Sequence, residues 1–291
     1  MDNYVVITPA HNEEEYILYT LDSVVAQTIQ PVQWVIVDDG STDDTSKIIQ
    51  EYVERYDWIK LIRTNPNEKT RKGGAKVVRA FNHGYDALEI DNYNFIVKLD
   101  ADLTIPPNYF ERVGQIFSLE PQVGMCGGTL SAIENGVWKT EKTASYHLRG
   151  AFKAYRKKCF DQIGGLIPTL RWESLDEMKA MSLGWRVKIL PIEVKHHRRS
   201  STLINRGIKF SYIIGKKHYQ HGYDLFLAIL RSIVVGFSTK PYILSSIVFL
   251  IGFMISLSKK EEKEVDPELE RFIRKFQYNR IKKFLGINNK R

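Results

Sequence analysis

An α/β fold with a mostly parallel central sheet, followed by a helical C-terminal region, is what this sequence predicts. Over the first ~130 residues, short β-branched runs alternate with amphipathic helical patterns, the signature of a doubly wound sheet. Polar, acidic and glycine-bearing stretches fall directly after the strand-like runs, the edge where ligands sit in open α/β sheets. Beyond Tyr223 the pattern changes to apolar segments and then to a basic amphipathic one. With 291 residues, 43% hydrophobic and 26% charged, the chain can bury a substantial core. The division this suggests is an α/β domain over residues 1–205 and a helical region over 206–291.

The first strand is expected over Val5–Thr8, and a helix over Glu13–Gln27 with Leu18, Leu21, Val24 and Val25 facing inward. Val32–Val37 reads as the second strand. Thr42 or Asp43 caps a helix running to Tyr56 that buries Ile48, Ile49, Tyr52 and Val53. Ile59–Ile62 is the third strand, Gly74–Leu88 the third helix, and Asn94–Leu99 the fourth strand. A helix over Pro107–Leu119 and a strand over Val123–Cys126 follow, with a further strand-like run at Val187–Leu190.

The net charge of +8 fits nucleic acid, anionic lipid or a phosphate-bearing substrate alike. Without zinc-finger spacing or an RNP1-like aromatic motif, nucleic acid is not expected as a partner. Cys126 and Cys159 form no CxxC, which suits a reducing compartment and argues against a structural zinc site. Tyr4-Val-Val-Ile-Thr8 follows Met1 without a basic leader, so no secretory signal is expected.

The loops after the strands carry the chemistry. Asp38 and Asp39 end a buried-looking strand, and Gly40-Ser41 supplies a tight turn. Ser41, Thr42 and Asp43 serve equally well as turn and cap residues, but two adjacent carboxylates exceed what capping needs, and such acceptors could hold a base imide or a ribose hydroxyl. Asp100 and Asp102 lie on one face of an extended chain and repel unless a cation lies between them. A hard divalent ion suits them, since Mg²⁺ takes one or two protein carboxylates and completes its shell with water and phosphate. Arg71-Lys72-Gly73-Gly74 is not a Walker loop, yet a basic pair entering a helix through two glycines makes a diphosphate contact. Lys76 and Arg79 read more simply as an exposed helix face.

Pro9-Ala-His-Asn-Glu-Glu14, Val37-Asp-Asp-Gly-Ser-Thr-Asp43, Lys72-Gly-Gly-Ala75 with Asn82-His-Gly84, and Leu99-Asp-Ala-Asp102 stand in order along the chain. Together they resemble the landmarks of family 2 glycosyltransferases, inverting enzymes of the Rossmann-like GT-A fold, and here of the non-processive bacterial type. The resemblance spans roughly the first 200 residues and, more loosely, the rest. It implies transfer of a sugar from a nucleotide-diphosphate donor, a UDP-sugar with GDP- and dTDP-sugars as alternatives, to a glycan or lipid-linked acceptor in cell-surface glycan assembly. Pro9, His11, Asn12, Glu13, Asp38 and Asp39 would hold the nucleoside, and Asp100 and Asp102 would reach the diphosphate through Mg²⁺ or Mn²⁺. One of His196 and His197, in Lys195-His-His-Arg-Arg199, would approach the metal or the departing diphosphate.

The family's general base opens a helix after a Gly-Gly turn, but after Gly164-Gly165 this chain has no contiguous Glu-Asp. Counting back from Gly184-Trp185 selects Glu173, whereas matching an acidic pair selects Asp176 and Glu177; Asp176 is the favoured base, with Glu173 next. An acidic first turn stabilised by the helix dipole accounts for at least one of the three. The Gln-x-x-Arg-Trp signature of processive synthases is absent, which favours single-sugar transfer. A sugar nucleotidyltransferase is the rival enzyme and a non-catalytic glycan- or nucleotide-binding scaffold the rival binder. The former would place a glycine-rich basic loop where this chain has Pro9-Ala-His-Asn12.

Pro241–Ser258 is uncharged and borderline for a spanning helix, and Tyr223–Phe237 is apolar apart from Arg231. Two such segments suggest a hairpin lying in or dipping into a membrane interface. After them Leu269, Phe272, Ile273, Phe276 and Phe284 form one stripe with Arg271, Arg274, Lys275, Lys282 and Lys283 around it. That pattern fits a helix on an anionic membrane surface, or one packed on the catalytic domain or a second subunit as a homodimer. The expected location is the cytoplasmic face of the inner (plasma) membrane, peripheral or monotopic.

Overall fold

The elements of the N-terminal part follow the alternation read above, and a computed structural model describes them over residues 3–64, 75–134, 136–141, 143–198 and 207–287. The chain divides into two compact units, Met1–Arg199 and Ser200–Arg291. In the first, the elements are β1 (Tyr4–Ala10), α1 (Ile17–Val25), β2 (Gln33–Asp38), α2 (Thr45–Val53), β3 (Ile59–Arg63), α3 (Lys76–Asp86) and β4 (Phe95–Leu99). Then come β5 (Leu103–Thr104), α4 (Tyr109–Leu119), β6 (Val123–Glu134), β7 (Val137–Thr140), β8 (Phe152–Arg156), α5 (Lys157–Ile163), α6 (Trp172–Ser182) and β9 (Arg186–His196). Arg71, Lys72 and Gly73, assigned above to a diphosphate, lie outside the described residues.

The strands form one sheet in the order β3-β2-β1-β4-β8-β6-β9-β5, with β7 paired to β6. From β3 to β4 it is parallel, as the alternation requires. Beyond β4 it is mixed: β8 runs antiparallel to both β4 and β6. A parallel return needs a crossover, usually helical, and no helix is described between β7 and β8, so the chain turns back on itself instead.

Side chains alternate across the buried strands. Tyr4, Val6, Trp34, Ile36, Phe95 and Val97 pack on one face with Leu21, Ile49 and Phe110 from α1, α2 and α4. Val5, Ile7, Ile96 and Tyr155 point to the other, against Phe81 and Phe160. Burial on both faces is why these strands read as continuous apolar runs. In α1 the inward stripe is Ile17, Leu21 and Val24, while Leu18 is exposed, contrary to expectation. The helix starts only after a turn in which the amides of Tyr16 and Ile17 both donate to the Glu13 carbonyl. Gly84 lets α3 seat on the sheet: a Cβ there would come within 2.6 Å of Ile7 and 2.8 Å of Val37. Overpacking of that kind costs about 1–3 kcal/mol.

The second unit holds α7 (Ile208–Gln220), α8 (Leu225–Ser238), α9 (Tyr242–Ser258) and α10 (Pro267–Phe284). Asp224 caps α8 by accepting from the Leu227 amide at 2.9 Å, and Asp266 caps α10 through the amides of Glu268 and Leu269. Among the described residues, no helix is long and apolar enough to cross a membrane. Of the apolar stripe of α10, Leu269 and Ile273 are buried, while Phe272 and Phe276 are half-buried and stack on each other; Tyr278 donates to Asp224. Only Phe284, at its last turn, stands in solvent. Most of the unit's exposed large apolar side chains lie on α8 and α9.

Candidate functional site

The C-terminal ends of β1, β2 and β4 deliver their loops to one edge, and each loop is fixed by its neighbours. After β1, Asn12 adopts a left-handed conformation (φ 53°) that asparagine tolerates. Its amide donates to Ser41 Oγ at 2.9 Å, its Oδ1 accepts from the Thr42 amide at 2.8 Å, and the Glu13 amide donates to Thr45 Oγ1 at 2.7 Å. His11 Nδ1 lies 2.8 Å from the Asp39 carbonyl, and Pro9 pairs opposite Val37 one step before the β1 pairing ends at Ala10 and Asp38. The Pro9–Glu13 and Asp38–Thr45 loops therefore behave as one surface.

Asp38 and Asp39 divide their labour. Asp38 is buried, accepting from the Ser41 amide at 2.8 Å and from the Ser46 hydroxyl, so both its oxygens shape the turn. Asp39, whose Oδ1 accepts from Thr64, is the less buried member of the pair.

At the end of β4, Lys98 is buried in an otherwise apolar strand and pairs with Asp100. Loss of solvation, opposed by Lys98 and reinforced by Asp102, holds the Asp100 carboxyl above its ordinary range. The next residues form β5, which pairs antiparallel with the end of β9, Leu103 opposite His196. This pairing brings His196 Nε2 to 3.0 Å from Asp102 Oδ2. The hydrogen bond and the charges of Asp102, Asp100 and Glu141 outweigh burial and raise the His196 pKa. His197 faces elsewhere: its Nε2 lies 2.8 Å from Thr104 Oγ1, its ring stacks on Tyr19 at 4.0 Å, and burial lowers its pKa. Of the two histidines, the structure brings His196 to the acidic pair.

The next residue, Arg198, was not singled out in sequence although it adjoins the histidine pair. Its Nη2 donates to the Asn12 carbonyl at 3.0 Å and to Glu13 Oε2 at 2.5 Å, and its Nε lies 3.9 Å from Asp102 Oδ2. It joins the β1 loop to the Asp102 turn. The Glu13 carboxyl is pushed up to about 8, first by burial and then by the charge of Asp102, with Arg198 pulling the other way.

The other acidic cluster belongs to α6. Asp176 Oδ1 and Oδ2 lie 2.9 and 3.2 Å from Lys153 Nζ, Tyr155 donates to Oδ2 at 2.5 Å, and the Glu177 amide donates to Oδ1. Glu177 Oε1 accepts from the Leu148 amide at 2.7 Å and pairs with Lys153 at 2.9 Å, while His147 Nδ1 sits 2.9 Å from Oε2. Burial raises the Asp176 pKa even against Lys153. A general base must reach the proton it removes, and these two carboxylates are enclosed. In this structure Asp176 and Glu177 are internal ion-pair partners. Glu173, partly exposed in the first turn of α6, takes no side-chain hydrogen bond among the described residues. Lys98 and Lys153 are cross-strand partners, each 5.4 Å from the Trp172 ring, so one aromatic separates the two clusters.

A divalent cation fits the β4 turn. Asp102 Oδ1 is buried and, among the described residues, has no hydrogen-bond partner. Leaving a buried acceptor unsatisfied costs about 1–3 kcal/mol, more when it is charged, and a cation removes that cost. No group of three or more His, Cys, Asp or Glu is arranged to hold a metal among the described residues, so water and a ligand's oxygens would complete the shell.

A Rossmann-like sheet whose strand-end loops present Asp39, Glu13 and an Asp100/Asp102 pair defines the GT-A class of fold. The family model for glycosyl transferase family 2 matches residues 5–178, and the chain belongs to that family. Glycosyltransferase GlyA of Streptococcus pneumoniae is 26% identical over 189 residues, 56% of this chain and 25% of that protein. Undecaprenyl-phosphate 4-deoxy-4-formamido-L-arabinose transferase of Edwardsiella ictaluri is 23% identical over 87% of this chain and 74% of its own length. Of three other curated relatives, the chain spans between about a third and about half of the length. A crystal structure of GalNAc-T7 with UDP, GalNAc and Mn²⁺ superposes with a TM-score of 0.62 at 15% identity, over 97% of this chain and 58% of that one.

Proposed function

We propose that this protein transfers a single sugar, with inversion, from a nucleoside-diphosphate donor to a glycan acceptor in glycan assembly. The observation that carries the reading is the unsatisfied Oδ1 of Asp102, buried at the edge where Asp39, Glu13, His196 and Arg198 converge. Asp39 and the Pro9–Glu13 loop hold the nucleoside, and Arg198 places a positive charge beside the diphosphate. Asp102, with Asp100 and His196 beside it, is the residue that would hold Mg²⁺ or Mn²⁺. When bound, such an ion neutralises charge developing on the departing diphosphate.

Glu173 takes the proton of the acceptor hydroxyl while that oxygen attacks the anomeric carbon. The bond from the anomeric carbon to the β-phosphate oxygen breaks, and the nucleoside diphosphate leaves with its electron pair. Lys153 holds Asp176 and Glu177 inside α6, which fixes the turn carrying Glu173. A UDP-sugar is the favoured donor, supported by the UDP of the GalNAc-T7 complex. A lipid-linked acceptor is supported by the undecaprenyl-phosphate transferase relative. The nucleotidyltransferase alternative lacks support at β1, where Pro9-Ala-His-Asn12 replaces a glycine-rich basic loop.

Incubation with Mn²⁺ and a panel of UDP-, GDP- and dTDP-sugars tests this reading. Release of a nucleoside diphosphate from one of them supports it. Pyrophosphate exchange would instead assign the nucleotidyltransferase, and binding without turnover would assign a scaffold.

A further inference from the structure

In the second unit, α8 and α9 carry large apolar side chains on their outer faces as well as in the core. Where α7 and α9 come closest the residues are small, beside a core that includes Leu227, Phe249, Phe253 and Ile273. Gly215 approaches α9 so closely that a Cβ would fall 1.9 Å from the Phe249 carbonyl oxygen, and Gly252 approaches α7 likewise, 2.2 Å from that of Tyr212. Ser232, Ser245 and Ser256 are buried, and Ser245 Oγ has no hydrogen-bond partner among the described residues. Large apolar side chains point outward. Ile229, Ile233 and Phe237 form one stripe along α8, and Ile243, Ile247 and Ile251 one along α9. Exposure peaks beside the turn between the helices, at 84% for Phe237 and 77% for Ile243. Small residues at helix contacts with bulky apolar residues outside is the arrangement of helices solvated by lipid. A continuous apolar face of this kind marks an interaction surface.

Charge selects the occupant. Between Asp224 and Glu261 there is no acidic residue, while Lys240 precedes α9 and Lys259-Lys260 follow it, all three exposed. The 17 residues of α9 extend about 26 Å, short of the ~30 Å hydrocarbon layer. Among the described residues no helix is long and apolar enough to cross a membrane, and a helix lying flat keeps both lysine-bearing ends among the headgroups. We propose that the α8–α9 face docks flat on an anionic bilayer surface, with its isoleucines and Phe237 in the upper acyl region and Lys240, Lys259 and Lys260 on the lipid phosphates. Bilayer docking is independent of sugar transfer, and its loss would leave the donor chemistry intact.

Co-sedimentation of the full chain with phosphatidylcholine vesicles, with and without phosphatidylglycerol, tests this. Binding is expected to phosphatidylglycerol-containing vesicles and to weaken as salt rises. Phe237→Glu with Ile243→Glu should lower that affinity at least about tenfold, without a change in melting temperature because both sites are exposed. Should that pair melt early, Lys240→Gln with Lys259→Gln and Lys260→Gln gives the second reading, by abolishing the preference for phosphatidylglycerol. Failure of the wild-type chain to sediment with either vesicle, or unchanged binding by the folded variants, overturns the proposal. So does a dimer in solution that Phe237→Glu with Ile243→Glu dissociates while vesicles capture nothing, which would assign the face to a second copy of the chain.

Discussion

Two acidic pairs in the first unit, Asp100/Asp102 and Asp176/Glu177, look alike in sequence and differ in how completely they are satisfied. Each lies beside a buried lysine, Lys98 for one and Lys153 for the other. All four carboxylate oxygens of Asp176 and Glu177 have partners within the fold. At the β4 turn, Asp102 Oδ1 has none among the described residues. A fully paired buried cluster fixes a structure, whereas a buried charge left open is tolerable only where something else arrives to meet it. The proposed binding role accordingly rests on the pair the fold leaves incomplete.

The largest effect is expected where the closed pair is broken. Lys153→Met leaves two buried carboxylates without their cation and should cost about 3–5 kcal/mol in denaturant unfolding. A loss below about 1 kcal/mol would mean that the cluster is not the ion-paired network described. The carboxylates of α6 come next. Glu173→Gln should lower turnover by about 10²–10⁴-fold while leaving the melting temperature in place. Asp176→Asn should chiefly destabilise, and a folded Asp176→Asn protein without turnover, beside an active Glu173→Gln, would reverse the two roles.

The smallest expected effect concerns Glu13 and pH. Its carboxyl titrates at about 8 when folded, against 4.5 for the free group. Because the folded pKa is raised, the unfolded chain loses its proton first, so stability is full below about pH 4.5 and falls as pH rises toward 8. In metal-free protein, Glu13→Gln should therefore be the more stable form near pH 9, by on the order of 2 kcal/mol after allowance for residual solvent contact, and equal to wild type near pH 4. Parallel melting curves at both pH values check this. A Glu13→Gln protein no more stable than wild type near pH 9 would show that Arg198 already compensates the charge.

Much of this comparison was legible in the sequence, and its limits are physical. Strand and helix order followed from periodicity, and the placement of Asp39, Glu13 and Asp102 at one edge followed from the rule for open sheets. Lys98 was visible as a lysine inside Phe95-Ile-Val-Lys-Leu99. The approach of His196 to Asp102 was not legible from local pattern, because it depends on the pairing of β5 with β9 across more than ninety residues. Nor was the inward turn of Asp176 and Glu177. Trp172, Leu175 and Met178 mark an inner face of α6, but Asp176 and Glu177 flank it and are buried only because their partner Lys153 lies on β8, a strand with two cations in five residues. The stripe of α10 was read correctly as apolar, but periodicity alone cannot say whether such a stripe meets protein or lipid.

The central claim is that the open oxygen of Asp102 is completed by a cation and a nucleoside diphosphate. Thermal unfolding of wild type and Asp102→Asn, with UDP, GDP or dTDP in the presence and absence of Mn²⁺, tests it most directly, since a ligand held only by the folded state raises its melting temperature. The substitution keeps an acceptor for His196 and removes the charge. A Mn²⁺-dependent rise with one nucleotide in wild type and none in Asp102→Asn is the expected result; an equal Mn²⁺-dependent rise in both proteins would contradict the account.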